Sequence, residues 1–430
     1  MKRAIGVYLF LAMSVLTAYA QEGAWSGDLS VQGIKLPLVF NFSADGCTLD
    51  SPKQGAKGVK AEWVKSDDGS VKVSIPTIGA SYEGVYDGKE IKGTFRQSGT
   101  SLPLTLTQGT VAINRPQTPQ APFPYTTEEV TFNNYNVRLN GTLTLPEGCT
   151  EETPVLIMVT GSGQQNRDEE LFGHRPFAVI ADALARRGIA TLRYDDRFYG
   201  DQSEVFSNYT TYHLEQDAVE GVNYLRKRFK HVGVIGHSEG GSIALTMAAE
   251  GEADFIISLA GMVTSGKETI MAQSKNGLMR AGISAYDVEK YCGALRKAFD
   301  AFIDGKHVED LSEPTDMPAL LKSSYDVAMK QAGTPWFRYF LSVNPSLELS
   351  KITCPVLALN GTLDSQVDCK TNLGLLEKGL KKGKCTIKAM EGLNHLFQHC
   401  TTGAATEYGD IEETISPEVL DIIADWVKAL

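Results

Sequence analysis

Val232-Gly233-Val234-Ile235-Gly236-His237-Ser238-Glu239-Gly240-Gly241 decides how this chain is read. Residues 232–235 form a continuous apolar run, as expected of a strand buried on both faces, and a helical pattern over 238–249 follows at once. Between the two stands Gly-x-Ser-x-Gly. At such a junction Ser238 must occupy a strained turn that lifts its hydroxyl above the sheet. Side chains at 236 and 240 would collide there, and glycine removes the collision. The placement, more than the motif alone, points to a nucleophile.

Outward from this stretch, further apolar runs lie at 154–160, 189–194, 255–259 and 355–359, with helical patterns at 177–187, 214–229 and 417–430. Such alternation predicts a mostly parallel, doubly wound sheet with helices on both faces, spanning 128–430. Residues 264 to about 350 interrupt it with mostly helical sequence, including 288–303 and 319–331. A lid belongs in that place.

A serine is a weak nucleophile until a base takes its proton, and the base needs an orienting acid. In this architecture the order along the chain is Ser, acid, His. Of seven histidines, His174, His213 and His231 precede the serine, and His237 adjoins it on backbone expected to turn it away. His307 lies in a polar stretch of the lid and is expected to be solvated. His395 follows Glu391-Gly392-Leu393-Asn394, a loop between the last strand and the last helix, and is the expected base. His399 is expected at the surface or behind the base. Asp364, in Asn360-Gly361-Thr362-Leu363-Asp364, is the expected acid. Its rival Asp368 begins a helix running to about 381, where a carboxylate acts as a cap. Two backbone N–H donors must face the oxyanion. Glu239 supplies one without need of its side chain, and Gly161-Ser162-Gly163-Gln164 the other, at Ser162 or, next, Gly163.

Residues 21–112 read as all-β. Leu36, Leu38, Phe40 and Phe42 alternate with other residues, as do Val71, Val73 and Ile75, and Leu102, Leu104 and Leu106. Asp68-Gly69 and Asp87-Gly88 stand at hairpin positions. An antiparallel barrel or sandwich is expected, without histidine and without chemistry of its own. Pro116, Pro119, Pro122 and Pro124 mark 113–127 as a stiff linker.

The first 20 residues carry Lys2 and Arg3, an apolar run over 4–16 and Ala18-Tyr19-Ala20, the pattern of a secretory signal peptide cut after Ala20. Cleavage leaves 410 of 430 residues and moves the net charge from −11 to −13, since two cations and no acid are lost. The product is expected to be periplasmic or secreted, with no further membrane span. An acidic chain offers no footprint for nucleic acid. Seven cysteines, an odd number, exclude a full disulfide framework, and four in the last quarter leave room for one bridge; there is no C-x-x-C and no His-Cys cluster at metal spacing. No metal or organic cofactor is implied.

About 300 residues resemble α/β-hydrolases of the EstD carboxylesterase type. The resemblance rests on Asn140-Gly141-Thr142-Leu143, Gly161-Ser162-Gly163, Arg167-Asp168-Glu169, Arg193-Tyr194-Asp195-Asp196-Arg197, Gly236-His237-Ser238-Glu239-Gly240-Gly241, Asp364 and His395. It implies carboxylesterase activity and the triad Ser238, Asp364 and His395, which the residues had already suggested. The chain departs from the family at Phe198-Tyr199, where a glycine is usual, so the loop shape there does not carry over. Asp196 and Arg197 read as a buried structural ion pair. Gly84 to Gln97 and Leu49-Asp50-Ser51-Pro52 resemble small lipocalin-like domains fused ahead of bacterial hydrolases.

The function expected is an exported serine esterase acting on small-molecule esters through an acyl-enzyme. A peptidase or amidase related to prolyl oligopeptidases could use the same triad, although the β unit is too short for a propeller. A ligand-binding protein with an inactive hydrolase fold is a third reading. Trp336, Phe337, Tyr339 and Phe340 either wall an apolar acyl pocket or form only the core of the lid.

Overall fold

The computed structural model describes residues 22–31, 34–66, 68–111, 114–200, 209–311, 314, 317–381 and 385–430. The expected signal peptide, 1–20, lies outside the described residues. The chain divides into two compact units, Met1–Asn114 and Arg115–Leu430.

In the first unit eight antiparallel strands close a barrel: β1 (Gly23–Val31), β2 (Ile34–Ser43), β3 (Gly46–Ser51), β4 (Ala56–Lys65), β5 (Ser70–Ile75), β6 (Ala80–Tyr86), β7 (Glu90–Gln97) and β8 (Thr100–Gln108). Closure comes from β1 against β8, Trp25 opposite Gln108 and Ser26 opposite Thr107. A period of two sends Val71, Val73 and Ile75 inward from β5, and Leu104 and Leu106 inward from β8. Trp25, Phe40, Phe42 and Tyr82 fill the middle. The Tyr82 hydroxyl, drawn in with its ring, donates to the carbonyls of Ile91 at 2.9 Å and Leu104 at 3.1 Å, which meets the cost of burying a polar tip. Closure leaves no unpaired sheet edge, and so favours the barrel over a sandwich.

The second unit is an α/β-hydrolase fold. Its sheet contains β9 (Thr126–Asn134), β10 (Val137–Leu145), β11 (Val155–Val159), β12 (Ala190–Tyr194), β13 (Val232–His237), β14 (Phe255–Leu259), β15 (Val356–Gly361) and β16 (Cys385–Met390). The spatial order is β16-β15-β14-β13-β11-β12-β10-β9. Pairing is parallel from β16 to β12 and antiparallel at β10 and β9. Every residue of β11, β13, β14 and β15 is buried. Helices α1 (Pro176–Ala185), α2 (Thr211–Leu225) and α3 (Glu239–Glu250) cover the sheet together with two later ones near the C-terminus. Ile157, Val234 and Ile256 pack into one core layer, and Leu156, Ile235 and Ile257 into the other.

Between β14 and β15 the lid contributes α4 (Gly266–Arg280), α5 (Ala285–Ile303), α6 (Ala319–Ala332) and α7 (Pro335–Ser342). They share a core of their own around Phe299, Tyr291, Leu295 and Phe337. The two covering helices that follow are α8 (Cys369–Gly379) and α9 (Pro417–Lys428).

The Pro-rich segment differs from a free spacer. Arg115 donates to the carbonyls of Ile411, Gly409 and Phe172, and the Gln117 side chain both donates to Ile415 and accepts from Thr414. The Tyr125 hydroxyl donates to Asp182 at 2.9 Å. The stretch after Asn114 is therefore a strap of the second unit, because its polar side chains satisfy carbonyls that loops of that unit leave open. No two of the seven cysteines are bridged. Among the described residues no helix is long and apolar enough to cross a membrane.

Candidate active site

At the C-terminal end of β13 the chain reverses through Ser238, whose φ of 55° and ψ of −117° lie in a region that costs a non-glycine residue on the order of 1–3 kcal/mol. The turn survives because both sides are pinned: Ser238 N–H donates to the Leu259 carbonyl at 2.9 Å, and Ser242 N–H to the Ser238 carbonyl. A Cβ on Gly236 would stand 1.9 Å from the Gly240 carbonyl oxygen. No side chain fits there.

His395 reaches the same place from the loop after β16. Its Nδ1 lies 2.7 Å from Asp364 Oδ2, with both residues buried. The other oxygen, Oδ1, accepts backbone N–H bonds from Gln366 at 2.7 Å and Val367 at 2.9 Å. Asp364 is thus fixed in rotation, with one oxygen left for the imidazole. Its rival Asp368 caps α8 through Thr371 N–H at 2.8 Å, as its position suggested. Asn394, fully buried, accepts from the N–H groups of Leu396 and Gln398 and shapes the loop beneath His395.

The loop after β11 closes the third side. Ser162 is exposed at the rim, and a Cβ on Gly161 would come within 3.2 Å of the Ser238 Cβ. Two buried acids hold this loop. Glu169 Oε1 accepts the Gly161 N–H at 2.7 Å. Asp196 accepts Thr160 Oγ1 at 2.9 Å and the Gln165 N–H at 2.7 Å, bracketing 161–164 from both ends. Burial pushes the Asp196 carboxyl up to about 8, against the pull of those two bonds. Asp196 therefore does not pair with Arg197. The partner of Arg197 is Asp217, which takes Nε at 2.8 Å and Nη2 at 2.6 Å in a buried two-pronged contact. A guanidinium buried this deeply needs a carboxylate in fork geometry, and residue 196 is spent on the loop. Arg167 with Asp195, and Arg193 with Asp168, cross-link the same two segments. Phe198 follows at φ 61°, the left-handed region where glycine is usual, and its ring packs against the hydrolase core.

Two residues do more than sequence reasoning assigned them. His237 is not turned away. It ends β13 at the same sheet edge as Ser238, and its ring lines the cavity, with Nδ1 3.0 Å from Glu169 Oε1 and Nε2 3.0 Å from the His395 carbonyl oxygen. Glu239 uses its side chain as well: Oε1 accepts Thr211 Oγ1 at 2.6 Å and the Trp336 indole N–H at 3.1 Å. Burial raises its pKa against the hydroxyls of Thr211 and Ser162 and the indole. A lid residue is thus bonded beside the nucleophile.

The remaining histidines have other work. His174 is buried between Thr414 and the Tyr408 carbonyl, and burial lowers it to about 4. His213 accepts the Thr210 N–H at the start of α2. His399 is exposed and pairs with Glu413.

Ser162, Ser238, Glu239 and His395 line one cavity of about 550 Å³. Met262, Phe340 and Val367 give it an apolar wall, and Gln273, Gln331 and Gln366 a neutral polar one. Among its described lining residues there is no lysine or arginine. The arrangement can deliver a hydroxyl nucleophile, an imidazole with a fixed acid behind it, and a glycine-bearing loop close enough to meet a carbonyl oxygen.

No family model matches the chain. It is 25% identical to Esterase EstD of Thermotoga maritima over 309 residues, 71% of this chain and 68% of that one. Similar solved structures include Est1E from Butyrivibrio proteoclasticus, 17% identical with TM-score 0.41 over 70% of this chain and 98% of that one. An esterase domain of a Rhodothermus marinus protein matches at 15% identity and TM-score 0.40, over 71% and 98%. A proline iminopeptidase of Mycobacterium smegmatis matches at 15% and 0.44, over 70% and 98%.

Proposed function

The chain being an esterase-like hydrolase homologous to Esterase EstD, we propose that it is an exported serine carboxylesterase. The observation that carries this reading is the 2.7 Å contact of buried Asp364 with His395, which lines the same cavity as the strained Ser238. Ser238 Oγ attacks the ester carbonyl as its proton passes to His395 Nε2. Asp364 keeps Nδ1 protonated and steadies the imidazolium that forms. The N–H groups of Ser162 and Glu239 hold the oxyanion. Collapse of the tetrahedral intermediate breaks the bond to the alcohol, which leaves with the proton from His395. Water, deprotonated by the same nitrogen, then cleaves the acyl-enzyme and releases the acid.

The substrate is a small neutral ester. A carboxylate or phosphate would enter beside Glu169 and Glu239 with no lysine or arginine among the described lining residues, at a large desolvation cost. The apolar acyl group lies against Met262, Phe340 and Val367. Labelling with a fluorophosphonate followed by hydrolysis of p-nitrophenyl esters of graded chain length tests this. Labelling that survives Ser238→Ala sinks the serine mechanism, and preference for an anionic ester sinks the substrate class. Export rests on Lys2, Arg3, the apolar run and Ala18-Tyr19-Ala20; a native intact mass that includes residues 1–20 would refute it.

A further inference from the structure

His237 makes two ring contacts, and each ends on an acceptor. The His395 carbonyl can only accept, so Nε2 carries a hydrogen. Glu169 Oε1 already accepts the Gly161 N–H, so it faces His237 Nδ1 as an acceptor too. Between a carboxyl and an imidazole the proton belongs on the imidazole, which is ordinarily the stronger base by about 2 pKa units. Both ring nitrogens then donate, and the ring is an imidazolium. The pair is buried, with His237 at 7% and Glu169 at 3% exposure, where a lone charge is not tolerated and a matched one is. Glu169 is moreover held at φ 52°, a strained value that its anchored side chain sustains.

The connectivity matters more than the charge alone. From one carboxylate oxygen the bonds run to the loop that brings Ser162 and, through the His237 ring, to the backbone of His395 itself. The His237 backbone meanwhile leads directly into Ser238. We propose that His237 and Glu169 are positioning residues, a charged buried pair that holds the base loop and the oxyanion loop in register across the nucleophile turn. The proposal rests on the reading of Ser238 and His395 as nucleophile and base. Desolvation opposes the charge on His237, and Glu169, the His395 carbonyl and Asp364 together outweigh it and raise its pKa.

The test uses the full chain. Nitrogen-15 spectra of the wild-type histidine rings at pH 7 are expected to show both nitrogens of His237 protonated. His237→Gln and Glu169→Gln should each lower kcat about 100-fold, the scale of a misplacement near 1 Å, with KM changed less than about twofold. The double variant restores a matched neutral amide pair and should recover about tenfold of the loss. A His237 ring with a single N–H at pH 7, or unchanged kcat in either folded single variant, overturns the proposal. If neither variant folds, the ring spectra of the wild type decide it. Hydrolysis surviving Ser238→Ala would show separately that the reading beneath it had failed, and with it the positioning role, while the spectra still decide the charge.

Discussion

His395 and His237 lie with ring centroids 4.8 Å apart, each joined through Nδ1 to a buried carboxylate. In composition the two pairs are nearly the same object. They differ at the far nitrogen: His237 Nε2 is closed by a carbonyl, while no hydrogen bond to His395 Nε2 occurs among the described residues, and that ring faces the cavity. They differ also at the acid. Asp364 spends its second oxygen on two N–H groups of its own loop, whereas Glu169 reaches over to Gly161. A histidine–carboxylate pair is therefore chemical or structural according to what its outer nitrogen lacks. Residue type alone does not say which.

The largest effect should come from Asp364→Asn, which offers His395 Nδ1 an N–H and favours the wrong tautomer. A fall of about 10⁴ in kcat is expected, with the fold kept, measured on a p-nitrophenyl ester. Equal damage from Asp368→Asn would break the assignment, since that residue only caps α8. Glu169→Gln should cost stability as well as rate, because it leaves the buried His237 cation uncompensated. Urea denaturation at pH 7 should register about 3–5 kcal/mol, well above the loss from Asp364→Asn.

Asp196 sharpens the contrast from another side. Its folded pKa of about 8 lies above the ordinary carboxylate value, so between about pH 4 and 8 the folded chain holds a proton that the unfolded chain releases. Stability contributed by the protonated form is complete below pH 4 and is lost as pH rises through about 8. Asparagine copies the neutral acid: its Oδ1 accepts the Gln165 N–H, and its Nδ2 donates to the Thr160 hydroxyl, which turns from donor to acceptor. Asp196→Asn should keep kcat within a few-fold and abolish this loss, seen as a urea midpoint that changes less between pH 5 and 8.5. The smallest effect belongs to His399→Asn. That side chain is exposed and pairs only at the surface, so stability should shift by less than about 0.5 kcal/mol and kcat not at all.

The fold was largely legible because buried parallel strands announce themselves as unbroken apolar runs, as at 255–259, and β5 and β8 alternate cleanly. Strand β4 was not, since Ala61 is its only buried residue. Helix α4 buries only Gly266, Thr269 and Met271 and shows no apolar stripe to read. The contact between Asp364 and His395 followed from chain order. The role of His237 did not, because its partners stand 68 and 158 residues away along the chain and adjacency to a nucleophile carries no signal about either. Glu169 could have been suspected from the charged run Arg167-Asp168-Glu169 beside a glycine loop. Adjacency pairs Arg197 with Asp196 because the run of charges hides Asp217, nearly two turns into α2.

Trp336 sits in the lid with its indole bonded to Glu239, and of the four tryptophans it alone lines the cavity. Trp25 and Trp63 belong to the barrel, and Trp426 to α9. A carboxyl at the indole nitrogen alters its emission, and any occupant of the cavity changes that contact or the polarity around the ring. The protein thus carries an intrinsic optical reporter beside Ser238, and filling of the site can be followed by fluorescence without a coloured leaving group.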